Sequence, residues 1–67
     1  MTNTVDFWFD GRQHMRLNAD DVGIARLFLE EGVEKMALIK QFRESGWSIT
    51  QAVAVVNCAV QCIENDH

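Results

Sequence analysis

The stretch Gly46 to Ile63, GWSITQAVAVVNCAVQCI, decides how the rest of the chain must be arranged. Ser48 followed three residues later by Gln51 is a capping-box pattern, in which each side chain satisfies an orphan backbone N–H of the other residue. A helix is therefore predicted over about 49–63, with Trp47 just before the cap, where a hydrophobic staple places its anchor. Ile49, Ala52, Val53, Val56, Ala59, Val60 and Ile63 recur at helical spacing and form one apolar stripe. Val55, Cys58 and Cys62 form a second stripe on another side. A helix apolar nearly all round is buried nearly all round. A single remaining long segment cannot wrap it, so the surplus face is expected to meet a second copy. The sequence thus predicts an obligate homodimer with Val53, Val55, Val56, Cys58, Val60, Cys62 and Ile63 at its interface.

A chain of 67 residues is one small domain, near the lower limit for a self-sufficient core, which strengthens the case for buried area gained by dimerisation. The two cysteines do not supply a staple. At i and i+4 of one helix, Cys58 and Cys62 point along nearly parallel directions, poor geometry for a disulfide. They read as packed thiols in a reducing cytoplasm. The opening MTNTVDF has neither the basic nor the apolar region of a signal peptide, and no apolar run approaches the ~20 residues of a membrane span. The net charge of −4 has the wrong sign for a generic phosphate-binding protein.

Upstream, VDFWF and QHMRL flank Asp10-Gly11, a strong hairpin signal over about 5–17. A two-residue loop would pair Phe9 with Arg12 and Phe7 with His14, mixing aromatic and polar groups. A three-residue loop, Asp10 to Arg12, pairs Phe9 with Gln13, Phe7 with Met15 and Val5 with Leu17. That register puts Val5, Phe7, Phe9, Met15 and Leu17 on one face and Asp6, Trp8, His14 and Arg16 on the other, and the apolar pattern favours it. A lone hairpin is marginal in water, so its apolar face must lie on helices. Asn18 can cap the next helix, with Asp20 and Asp21 in the first turn, where the helix dipole favours carboxylates. That helix is predicted over about 19–45, ending at Gly46, a good residue for a left-handed C-terminal turn. Its stripe is Val22, Ala25, Leu29, Val33, Met36 and Ile39, widened by Ile24, Phe28, Leu38 and Phe42. Gly32 lies inside it and is a place for a bend or break. The fold class expected is α+β, mostly α: a hairpin, then two antiparallel helices.

No constellation in the chain points to catalysis. Cys58, Cys62 and His67 match no standard zinc spacing and lack a fourth ligand, so neither a metal nor a cofactor is expected. A cysteine nucleophile needs a base and an electropositive pocket, but His14 lies on the hairpin and no basic residue follows Arg43. The segment MALIKQFRESGWSITQAVAVV has helix-turn-helix lengths, and a hairpin before helices invites a ribbon-helix-helix comparison. The would-be recognition helix, Ile49 to Ile63, carries no Lys or Arg to neutralise phosphates or read bases. Arg12, His14 and Arg16 keep a small dimeric DNA-binding regulator as the competing reading. Glu30, Glu31 and Glu34 read as a solvated face or as negative charge presented to a basic partner. Trp8, on the polar hairpin face, is the aromatic best placed to anchor one.

Taken whole, the run from Phe7 to Val56, FWFDGRQHMRLNADDVGIARLFLEEGVEKMALIKQFRESGWSITQAVAVV, resembles the small phage-encoded quorum-sensing anti-activators. The resemblance implies a dimeric, non-enzymatic protein acting in the cytoplasm of an infected bacterium. Its partner would be the DNA-binding domain of a LuxR-type transcriptional activator, kept off its promoter, and some members also interfere with a pilus-assembly ATPase. Tyrosine contributes to the binding surface in that family; this chain has none, so Ile39 or a nearby phenylalanine would take its place. The partner-binding residues expected here are Trp8, Asp20, Asp21, Phe28, Glu30, Glu31 and Glu34, with no direct contact to nucleic acid or membrane.

Overall fold

The computed structural model describes residues 4–9 and 12–65. The chain runs β1 (Thr4–Phe9), β2 (Gln13–Asn18), α1 (Ala19–Glu30), α2 (Lys35–Glu44) and α3 (Ile49–Asn65), a small α+β protein dominated by helix. The strands are antiparallel and pair Val5 with Leu17, Phe7 with Met15 and Phe9 with Gln13, the register of the three-residue loop. Phe7 and Leu17 are buried and Val5 and Met15 pack beside them, whereas Trp8 is 60% exposed on the opposite face. The apolar alternation has thus chosen the face, as a one-residue slip would have turned every side chain over. The Asp10-Gly11 turn, the side chain of Phe9, and the tail residues Asp66 and His67 lie outside the described residues.

The expected helix over 19–45 is two helices. Asn18 caps α1 as its sequence suggests, its Oδ1 accepting from the Asp20 N–H at 2.8 Å. The helix then stops at Glu30, because Gly32 takes φ +101° and the chain closes a Schellman turn. In that turn the Gly32 N–H donates to Leu29 O at 3.1 Å and the Val33 N–H to Phe28 O at 3.0 Å. The same turn ends α2. Gly46 has φ +104°, its N–H donates to Arg43 O at 3.0 Å, and the Trp47 N–H reaches Phe42 O at 3.2 Å. The Phe42 and Trp47 rings stack across this turn, 4.5 Å apart and 10° from parallel, which supplies the apolar contact that such turns use. Ser48 then caps α3 by accepting from the Gln51 N–H at 3.2 Å. Trp47 is therefore held by α2 as much as it staples α3.

The break changes what wraps α3. The core is formed by Phe7, Leu17, Val22, Ala25, Leu38 and Ile39 around Ala52, Ala54, Val55, Val56, Cys58 and Ala59. With ~100° per residue, the buried α3 positions cover an arc of about 200°, contacted by α1, α2 and β1. Thr50, Asn57, Gln61 and Glu64 fall together on the arc left over, so α3 has a polar strip that its apolar stripes conceal at first sight. Val55, Val56 and Cys58, expected at a dimer interface, are instead 1%, 0% and 4% exposed within one chain. Only Val53, Val60, Cys62 and Ile63 of that set keep partial exposure. The premise that one long segment cannot cover α3 fails because the segment is three pieces, a hairpin and two short helices. The apolar circumference of α3 therefore does not require a second copy.

Candidate protein-interaction site

Charge is segregated along the chain. Residues 19–34 hold five carboxylates against one arginine, whereas α2 holds Lys35, Lys40 and Arg43 against Glu44. Large apolar side chains stand in solvent in both regions, Ile24 (46% exposed) and Leu27 (64%) on α1 and Met36 (73%) on α2, and also at the start of α3, Ile49 (55%). Exposed apolar side chains gathered among charges are what mark an interaction surface, whereas single ones are ordinary.

Along α1 and its C-cap the four positions Asp20, Ile24, Leu27 and Glu31 follow i, i+4, i+7 and i+11 and all are exposed. At ~100° per residue they lie within about 60° of one another, a narrow outward stripe with apolar centre and acidic ends. Gly23 beside Ile24 adds no bulk there. Arg26 is engaged with Glu30, its Nε 2.7 Å from Oε1, so the local cation is already committed to a carboxylate.

The second surface is a groove of about 450 Å³ at the corner between α2 and α3. Ile39 floors it, only 7% exposed, and Trp47 walls it, fixed by its stack on Phe42. Met36 and Ile49 stand on its rim, with Lys40, Arg43 and Glu44 alongside. Neither Lys40 nor Arg43 makes an ion pair among the described residues. The outer hairpin face is different again. Asp6 takes His14 at 3.0 Å and lies 3.9 Å from Arg16, and Trp8 packs its ring 5.0 Å from His14. Asp6 thereby offsets the small basic face that Arg12, His14 and Arg16 would present.

The sequence-predicted partner residues do not form one patch. Trp8 is exposed, on the hairpin. Asp20 and Asp21 start α1, and Glu30, Glu31 and Glu34 lie at or beyond its other end, some ten residues or ~15 Å away along the axis. Phe28 is partly buried against the core and its carbonyl closes the Gly32 turn, so it is not a free anchor. Ile24 and Met36, read from sequence as core, are the exposed residues instead, with Leu27. The signal for Leu27 and Ile24 was present in the i, i+3 apolar pair between Asp20 and Glu31. Met36 could not be phased from α1 once the helix breaks.

Cys58 is not an activated thiol. Burial pushes Cys58 up to about 11, helped by the neighbouring Cys62 charge and their mutual hydrogen bond, so it stays a protonated thiol at neutral pH. Both cysteines are free, and among the described residues no group of three potential ligands could hold a metal ion. No helix there is long and apolar enough to cross a membrane. No family model, curated protein or solved structure matches the chain.

Proposed function

We propose that this protein is a non-enzymatic inhibitor that acts by occupying a basic surface on another protein. The target class is the one its resemblance to the phage anti-activators implies, the DNA-binding domain of a LuxR-type activator. The observation that carries this reading is the α1 stripe, two large apolar side chains in solvent with a carboxylate at each end. A DNA-binding domain presents cations spaced for phosphates around a less polar helix surface. Carboxylates at the two ends of the stripe would steer and orient the encounter, and Ile24 with Leu27 would desolvate its centre. Direct DNA binding is less well supported, since the solvent-facing arc of α3 carries Thr50, Asn57, Gln61 and Glu64 and no cation.

The test is competition. Labelled promoter DNA bound to the purified DNA-binding domain should be displaced as this protein is added, with the anisotropy falling to that of free DNA. Leu27→Lys should weaken the displacement about tenfold or more, the order of a ~1.4 kcal/mol contact. A ternary complex in which promoter and protein are held together would exclude blocking of the DNA-reading surface.

A further inference from the structure

The five carboxylates of residues 19–34 are not equivalent, and four of them have their charge met within the chain. Asp20 and Asp21 stand in the first turn of α1, the pole where a helix dipole favours anions, and the Asp20 N–H is held by the Asn18 cap at 2.8 Å. Glu30 holds Arg26 at 2.7 Å. Glu34 is the N-cap residue of α2 and so lies at that helix's positive pole. Glu31 has none of these. It is the C-cap of α1, at the negative pole, and no basic residue occupies the last turn. Lys35, four residues on, would be its partner in an unbroken helix, but it lies beyond the Gly32 turn. Glu31 is exposed and makes no ion pair among the described residues. An anion at that pole opposes folding slightly, and proteins break such local rules chiefly at functional sites.

Leu27 lies one turn before Glu31 on the same face, i to i+4, and is 64% exposed. An apolar side chain with an unmatched carboxylate one turn beyond it suits an arginine. Its methylene stem covers the one while its planar fork bonds the other, which the point charge of a lysine does less well. We infer that the α1 stripe binds its partner with a fixed polarity: Leu27 and Glu31 receive an arginine side chain of the partner, while Asp20 serves its own helix and leaves Ile24 to make an apolar contact. This rests on the function proposed above and names the residue that sets the orientation of the complex.

Two neutral substitutions separate the two ends, first in the free protein. Asp20→Asn removes a carboxylate from the positive pole and should lower the melting midpoint. Glu31→Gln removes one from the negative pole and should raise it, each by about 1–8 °C. Both positions are exposed, so neither change disturbs packing. In the promoter competition the ranking reverses. Glu31→Gln, the more stable variant, should need about tenfold or more protein for half displacement, and Asp20→Asn should stay within about twofold of the parent. Raising salt should weaken the parent and Asp20→Asn alike and Glu31→Gln less. Of arginine-to-lysine changes made singly in the target, one should weaken binding to the parent and have little effect on binding to Glu31→Gln. Equal losses at the two ends, a larger loss for Asp20→Asn, a Glu31→Gln protein that melts below the parent, or no target arginine coupled to Glu31 each overturn the inference. A parent that displaces no promoter refutes the proposed function and this contact with it. A parent that displaces promoter while Glu31→Gln does so equally well refutes the polarity alone.

Discussion

Replacing a glycine by alanine should have opposite signs at two positions nine residues apart, Gly23 and Gly32, and the pair decides whether the chain really breaks after α1. Gly23 sits within α1 and is exposed, and a Cβ there would meet nothing within 4 Å. Gly23→Ala therefore removes unfolded-state entropy at no packing cost and should stabilise by about 0.5–1 kcal/mol. Gly32 is equally uncrowded, but its φ of +101° lies where an L side chain is strained. With no clash to add, the cost of Gly32→Ala is that backbone strain alone, about 1–2 kcal/mol. For a domain of this length each kcal/mol moves the melting midpoint by about 4–8 °C, so the two variants should straddle the parent by an easily measured interval. Urea midpoints with an unchanged m-value would confirm that native stability, not the denatured state, has moved. If Gly32→Ala raises the midpoint as Gly23→Ala does, the residue is helical, α1 and α2 are one rod, and the packing argument for α3 collapses with it.

Three further outcomes follow from the same packing. Leu38→Ala, at a position 1% exposed, should cost about 2–5 kcal/mol, while Met36→Ala, at one 73% exposed, should stay within about 0.5 kcal/mol by denaturant titration. Ser48→Ala should cost about 1 kcal/mol through the bond its hydroxyl accepts from Gln51; an unchanged midpoint would mean α3 does not depend on that cap. Because the folded Cys58 thiol titrates near 11 against an ordinary 9.0, the unfolded chain holds fewer protons between those values, and stability should fall as pH rises from 9 to 11. The slope is at most about 1.4 kcal/mol per pH unit, and Cys58→Ala should flatten it; an identical slope in the variant would remove the cause.

What was legible in the sequence was whatever is decided within a few residues. The hairpin register followed from the two-residue alternation of Val5, Phe7, Met15 and Leu17, and the structure pairs those residues as expected. Asn18, Ser48 and Gly46 announced helix ends through groups that act one to five residues away, and each makes its bond. Gly32 gave the same kind of notice, but a glycine costs only ~1 kcal/mol in a helix interior, so propensity alone does not choose between a tolerated residue and a terminus. What decides is whether the C-terminal turn can close, and that depends on Val33 finding the core next to Phe28, a tertiary fact. The interaction surfaces were hidden for the same reason, since exposure at Ile24, Leu27 and Met36 depends on the direction each helix takes.

The phase of the apolar residues shows how much the break accomplishes. Taking Asp20 as zero on a helix of ~100° per residue, Val22, Ala25 and Leu29 fall near 140–200°, the face turned to the core. Carried on without a break, Met36 would fall near 160°, inside, and Leu38 near 0°, in line with Ile24 and Leu27 and outside. The structure has the reverse, Leu38 buried and Met36 in solvent. A straight rod would have left a leucine on the acidic stripe and a flexible methionine in the core. Turning the chain at Gly32 inverts the face that α2 presents, which brings Leu38 and Ile39 onto α3 and completes its covered arc. Lys40 and Arg43 share the face of Met36, at i+4 and i+7 of α2, so the same inversion turns all three outward. One left-handed glycine thus accounts both for a core that closes within a single chain and for the outward apolar face of α2 at Met36.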